Sequence, residues 1–274
     1  MLKEITDLRD EANELHRLLK SLGRADWQRA TLFKAWTVDD IVRHLHMGDR
    51  MGLASATSPE AFRALMDDVR ARRAESPSRL EETKQRLNGL AGPDLLDRWR
   101  ATLDALCAAL AEKAPEARLV WAGPDMGLGM FAAARQMEIW AHSQAIYDLL
   151  GVERPAPSPR LRNIAEIGVR TFGWAYRNRG LPVPPIRPFI NLATPFGESW
   201  TWNTPSANEA VTGDAFAFCQ VVTQTRNAAD TDLHIAGPTA RHWMSIAQCF
   251  AGPPETPPAP GSRHRAAPET GRRA

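Results

Sequence analysis

Two side chains that can bind metals, Glu138 and His142, lie four residues apart inside the helical pattern of residues 135–148. On a helix this spacing places both on one face, with Cβ atoms about 5–6 Å apart, so that they can converge on one ion. The best candidate for a third ligand is His44, on a second predicted helix far upstream. If the two helices face each other, these residues form a His₂Glu set with a vacant position, which is typical of catalytic zinc sites.

Three polar residues near the candidate ligands leave alternatives open. His46 is two residues from His44 and points to a different helix face, so we expect a structural role for it. Asp40, one turn before His44, could accept the ring N–H that faces away from the metal, or could only favour the helix N-terminus. Arg135 could orient Glu138, three residues later, or could be solvated.

Helical patterns fill the first 180 residues, and long helices on short connections predict an antiparallel four-helix bundle. Thr37, followed three residues later by Asp40, resembles a capping box at the start of the helix that carries His44. Both parts of the candidate site are therefore expected on helices, and we assign residues 1–180 to a helical domain.

The pattern changes after Gly180, where a proline-rich segment cannot be helical. The chain beyond it predicts a small α+β domain over residues 186–254, so the fold class is α+β. Proline, glycine and arginine dominate residues 255–274, which predicts a disordered tail. The predicted elements of the small domain are a hairpin at 189–193 and 199–202, a helix from 215, a strand at 232–236 and a helix at 240–250.

The composition of the 274 residues excludes several classes of protein. Residues 262–274 contain four arginines and one glutamate, so this tail carries +3 and the rest about −1 of the net +2, which predicts no nucleic-acid partner. The sequence contains no run of 18 apolar residues, so no membrane span is predicted. The three cysteines are widely spaced in apolar contexts, which favours core packing over disulfides or nucleophiles and fits a cytoplasmic protein.

The motif Trp36-x₇-His44-Leu45, with Glu138-x₃-His142 far downstream, resembles the DinB-like metal-binding bundle. More narrowly, it resembles the mycothiol-dependent maleylpyruvate isomerase N-terminal domain. That resemblance implies that His44, Glu138 and His142 bind zinc or another divalent ion, and that a low-molecular-weight thiol such as mycothiol or glutathione is a cosubstrate.

The C-terminal sequence resembles an uncharacterised metal-binding branch of the same superfamily, in which a small domain is similar to one named after wyosine-base formation in tRNA. The segments that carry this likeness are Phe218 to Arg226 and Trp243 to Pro254. Isomerases of the family also use an arginine from the C-terminal domain near the metal. Arg226 is the position that matches it, which implies a catalytic role for this residue.

The expected function is that of a metal-dependent enzyme acting on a small electrophilic molecule. A metal with an open position lowers the pKa of a bound thiol or water. A thiolate that adds to an activated double bond permits isomerisation when it is expelled and transfer when it is retained; hydrolysis is the less favoured reaction. Two alternatives stay open: a non-catalytic metal- or ligand-binding protein, and an accessory protein of RNA modification.

Overall fold

The computed structural model describes residues 2–266. The chain forms two compact units, which divide between Leu149 and Leu150. The first unit is helical, and the second combines a mixed four-stranded sheet with helices. The predicted α+β fold class is therefore confirmed. No helix in the described range 2–266 is both long enough and apolar enough to cross a bilayer.

In the N-terminal unit, α2 packs against α5, and α5 also packs against α1. A two-stranded antiparallel ribbon precedes α6. The elements are α1 (Lys3–Lys20), α2 (Val38–Thr57), α3 (Pro59–Ala74), α4 (Arg79–Arg86), α5 (Gly92–Ala111), β1 (Arg118–Leu119), β2 (Met126–Gly127) and α6 (Leu128–Leu150).

The helices α2 and α6 carry the candidate ligands. Thr37 Oγ1 accepts a hydrogen bond from the Asp40 backbone N–H, and the Asp40 carboxylate accepts one from the Thr37 N–H, each at 3.1 Å. This reciprocal pair is the predicted capping box, and it satisfies two N–H groups that the helix itself leaves unpaired. In α6 the apolar residues Phe131, Met137 and Ile139 are all buried, because the helix lies within the core.

The C-terminal unit is built on a sheet with strand order β4-β3-β5-β6. The strand β3 pairs antiparallel with β4, as the predicted hairpin requires, and parallel with β5, while β6 is antiparallel to β5. The elements are α7 (Leu161–Arg170), α8 (Phe172–Arg177), β3 (Phe189–Ala193), β4 (Ser199–Trp202), β5 (Ala210–Asp214), α9 (Ala215–Val222), β6 (His234–Ala236) and α10 (Pro238–Ile246).

The structure differs from the sequence-based boundaries in the middle of the chain. The last helical pattern before Gly180, which the sequence assigns to the helical domain of residues 1–180, forms two helices separated at Thr171, and both belong to the C-terminal unit. They do so because α7 packs on α9 and α8 packs on α10. Strand β5 was not predicted, since it ends in glycine and aspartate, which are depleted in strands.

Residues 255–266, where composition predicts disorder, contain neither helix nor strand but do make defined hydrogen bonds. The Glu255 N–H donates to the Gln248 side chain at 2.9 Å, and Asn227 donates to the Pro258 carbonyl at 2.7 Å. Side chains of the body thus supply the partners that an extended, proline-rich backbone cannot find within itself. The remainder of the predicted tail, 267–274, lies outside the described residues.

Candidate metal centre

The three candidate ligands meet between α2 and α6. Glu138 Oε2 lies 3.3 Å from His44 Nε2 and 3.3 Å from His142 Nε2. The two imidazole rings are 4.4 Å apart between centroids. Their side chains retain 29% (His44), 22% (Glu138) and 14% (His142) of their accessible surface, so the cluster can be reached from solvent.

The donor atoms are close enough together that they could hold one ion. One ligand atom from each residue can be chosen so that all three lie within 4.8 Å of one another. With metal–donor bonds of about 2.0–2.2 Å, two ligand atoms of a tetrahedral zinc site lie about 3.3–3.6 Å apart. Both separations from Glu138 Oε2 fall at the short end of that range. Two imidazole nitrogens and one carboxylate oxygen, held at this spacing, could bind a metal and leave a fourth position open.

The protonation states also suit a metal. Burial, followed by the charge of His142, lowers the pKa of His44 to about 4, so this imidazole is neutral at pH 7. Burial by itself raises the pKa of Glu138, but hydrogen bonds from His142 and His44 outweigh it and hold this pKa well below the usual range. A neutral imidazole and an ionised carboxylate are the forms that ligate metals, so these two ligands need lose no proton on binding.

An aromatic wall lies beside the two histidines. The Trp36 ring is nearly parallel to the His142 ring, at 6.1 Å between centroids, and is tilted against His44 at 5.5 Å. The Phe33 ring meets His142 edge-on at 5.1 Å. A hydrogen bond of 2.8 Å from the Thr31 N–H to the Trp36 carbonyl closes the loop that carries both rings. Two aromatic rings therefore pack against the histidines on one side of the centre.

The same loop holds backbone strain. Lys34 and Ala35 have φ values of 50° and 55°, although neither is glycine. This left-handed conformation costs about 1–2 kcal/mol for each residue with a Cβ. Strain of this kind persists only where the surroundings enforce it, and it clusters at functional sites.

Behind the ligands lies a buried polar network that the sequence did not indicate. Arg135 Nε donates to Asp49 Oδ1 at 3.0 Å, and the Trp99 indole donates to Asp49 Oδ2 at 2.8 Å. Of the two roles considered for Arg135, solvation is thus excluded, and its partner is Asp49 of α2. Sequence offered no signal for this pair, because charged residues are usually exposed.

The neighbours of His44 have other roles. The Asp40 carboxylate accepts hydrogen bonds from the Thr37 N–H and from Arg43 Nη1, each at 3.1 Å, so it caps α2 and does not orient His44. His46 is buried away from the cluster, as expected for a structural residue. The wall residue Trp36 directly precedes the capping threonine, a position where apolar side chains often pack against the first turns of a helix.

Arg226 lies in the C-terminal unit, shortly after α9. Its Nη1 donates to the Thr225 carbonyl at 2.9 Å. The catalytic role that resemblance implies for Arg226 stays a prediction.

The family of the chain follows from its N-terminal unit. The model of the mycothiol maleylpyruvate isomerase N-terminal domain matches residues 8–147, which are about half of the chain and include all three candidate ligands. The chain belongs to this family. Two relatives from strains of Mycobacterium tuberculosis, both named as uncharacterized proteins, are 37% identical over 251 residues; the match covers 91% of this chain and 96% of each relative.

Solved structures related to this family share its fold. Crystal structures of the mycothiol-dependent maleylpyruvate isomerase and of a mutant of it match with a TM-score of 0.51, at 16% and 15% identity. Each match covers 80% of this chain and 87% of the isomerase. At this level of identity the likeness shows the fold alone.

Proposed function

We propose that this family member is a zinc-dependent enzyme in which His44, Glu138 and His142 hold the ion. It would activate a low-molecular-weight thiol, mycothiol or glutathione, against a small electrophilic substrate, as an isomerase or an S-transferase. The observation that carries the proposal is the position of Glu138 Oε2, 3.3 Å from one nitrogen of each histidine.

The chemistry is divided between the ion and the chain. When bound, zinc with an open position supplies Lewis acidity, which lowers the pKa of a thiol or water there and provides a nucleophile at neutral pH. Glu138 supplies the negative charge that offsets part of the charge of the ion. The Phe33 and Trp36 rings exclude water from one side, which strengthens electrostatic interactions within the site.

The chain has no suitable thiol of its own in the described residues. All three cysteines are buried, and none forms a disulfide. Burial raises the pKa of Cys107 to about 11 and that of Cys219 well above the usual range. Because a thiolate is the reactive form, burial makes Cys107 and Cys219 poor nucleophiles at neutral pH. This favours the proposal that an external thiol, or water, supplies the attacking atom.

The first test is metal content. Purified protein, His44→Ala and His142→Ala should be compared by elemental analysis after equilibration with zinc and removal of the unbound ion. His234→Ala, which changes an exposed histidine of strand β6, is the matched control. We expect about one equivalent in the parent and the control, and little in the two ligand variants. A parent that holds no zinc would refute the proposal.

The second test is turnover. Zinc-loaded protein should be assayed with mycothiol, with glutathione and without thiol, against unsaturated acids and epoxides. We propose that Arg226 acts in the reaction, so Arg226→Ala should lower turnover while zinc content stays unchanged. Zinc binding without turnover for any pair would favour a non-catalytic binding protein. RNA binding by the loaded protein would favour the accessory role implied by the C-terminal sequence.

A further inference from the structure

A second polar contact joins α2 and α6 close to the metal centre. Asp49 of α2 and Arg135 of α6 form an ion pair at 3.0 Å, with 0% and 6% of their side-chain surfaces exposed. The second carboxylate oxygen of Asp49 accepts the Trp99 indole N–H from α5. Both carboxylate oxygens therefore have partners, and the pair is fixed from three helices.

Gly48 allows the guanidinium to lie against the α2 backbone. A Cβ atom built at Gly48 would lie 2.5 Å from Arg135 Nη2 and 2.9 Å from Arg135 Cζ. Real carbon atoms do not approach so closely, so any larger residue would displace the guanidinium. The absence of a side chain at this position and the neighbouring carboxylate at Asp49 together form a seat for Arg135 on α2.

This seat lies close to the ligands along both helices. Arg135 is three residues before Glu138, on the same side of α6. Asp49 is five residues after His44, which corresponds to about 7.5 Å along the axis of α2. The contacts His44–Glu138 and Asp49–Arg135 thus join the same two helices within about two turns, and together they define both the distance and the register between the helices.

Stability alone is a poor explanation for this pair. A buried ion pair loses so much hydration that apolar residues of similar volume often stabilise a fold at least as well. What such a pair supplies is a defined geometry, because a small displacement leaves a charge buried without a partner. A defined geometry is what a metal site needs, since ligand atoms must be held within a few tenths of an ångström.

We propose that Gly48, Asp49 and Arg135 are positioning residues for the metal. They hold α2 and α6 in the register in which His44 meets Glu138 and His142, and so determine how tightly the ion binds. This inference rests on the proposed metal-binding function and adds residues that touch neither the ion nor the substrate.

The test compares zinc affinity with stability in the full-length protein. Arg135→Lys keeps the charge but loses the Nε–H donor, Gly48→Ala displaces the guanidinium, and Trp99→Phe removes one hydrogen bond to Asp49. Zinc dissociation constants would be measured by competition with a chromophoric chelator, and the stability of the metal-free variants by urea unfolding. The visible spectrum of the cobalt-loaded protein would report the geometry at the ion.

The control is a second buried ion pair elsewhere in the N-terminal unit. Arg86 and Glu82 of α4 are 2.6 Å apart, with 6% and 2% of their side-chain surfaces exposed, and they contact none of the three ligands. Glu82→Gln should therefore lower stability with less than a twofold change in zinc affinity. The positioning variants should bind zinc about 10- to 100-fold more weakly and alter the cobalt spectrum.

The possible outcomes separate the two proposals. A parent that binds no zinc overturns both. Zinc binding in the parent, with affinity unchanged in the positioning variants, overturns only this inference. The inference is also overturned if Glu82→Gln, at an equal loss of stability, weakens zinc binding as much as the positioning variants do. If Arg135→Lys does not fold, Gly48→Ala and Trp99→Phe decide by the same criteria.

Discussion

A buried histidine of α2, His46, should make the protein sensitive to acid. Only 3% of the surface of His46 is exposed, and in the described structure its Nδ1 has no hydrogen-bond partner. Burial, with smaller effects of the Arg50 and Arg98 charges, lowers the pKa of His46 to about 4. The folded protein therefore keeps this imidazole neutral at a pH where an unfolded chain would protonate it.

The sign and size of the effect follow from that pKa. With a value near 6.5 when unfolded and about 4 when folded, His46 binds more protons in the unfolded state between these limits, so stability falls as the pH falls. A difference of about 2.5 units between the two pKa values lowers the free energy of unfolding by about 3 kcal/mol once the pH is below both of them. Between pH 7 and pH 5, the loss is about 2 kcal/mol.

Urea unfolding of His46→Leu and of the parent, both metal-free with chelator present, tests this prediction. At pH 7 the variant should be at least as stable, because it no longer buries an unpaired polar atom. At pH 5 its advantage should be about 2 kcal/mol larger, since only the parent has this histidine to protonate on unfolding. If the unfolding free energies of the parent and the variant changed by the same amount between pH 7 and pH 5, the lowered pKa of His46 and the reasoning from burial would be refuted.

Three further predictions concern zinc, the cysteines and the cap of α2. Zinc at 100 times its dissociation constant should raise the free energy of unfolding by about 2.7 kcal/mol, and in His142→Ala the urea midpoint should not move. Cys107 and Cys219 should react with Ellman's reagent only after denaturation; rapid labelling of native protein would contradict their burial. Thr37→Ala should cost about 1 kcal/mol in thermal unfolding, and Thr37→Ser should recover most of it.

The features that could be predicted from sequence obey rules that act over a few residues. Glu138 and His142 are neighbours on α6 because of helical spacing, and Thr37 caps α2 through groups three residues away. The hairpin of β3 and β4 likewise needs only alternation and a turn. That His44 faces Glu138 was a hypothesis based on ligand chemistry, and the family motif supported it.

The features that escaped prediction depend on partners distant in sequence. Strand β5 ends in glycine and aspartate, which are depleted in strands, and it is stabilised by pairing with β3 and β6 on its two sides. The helices α7 and α8 have ordinary amphipathic patterns, which show that one face is buried but not against which unit. Asp49 resembles a solvated charge in sequence, and the approach of Arg135 and of the Trp99 indole makes its burial tolerable.

Local sequence rules and contacts between distant residues affect the metal centre in different ways. Local rules put the donor atoms on the right faces of α2 and α6, but cross-helix contacts hold the faces together. Substitutions at Asp49 or Arg135 should therefore alter zinc affinity while every ligand stays in place, and substitutions at His142 should abolish binding while the helices stay packed. Relatives that keep the ligand motif but differ at Gly48 and Asp49 would then differ in zinc affinity without any change in fold.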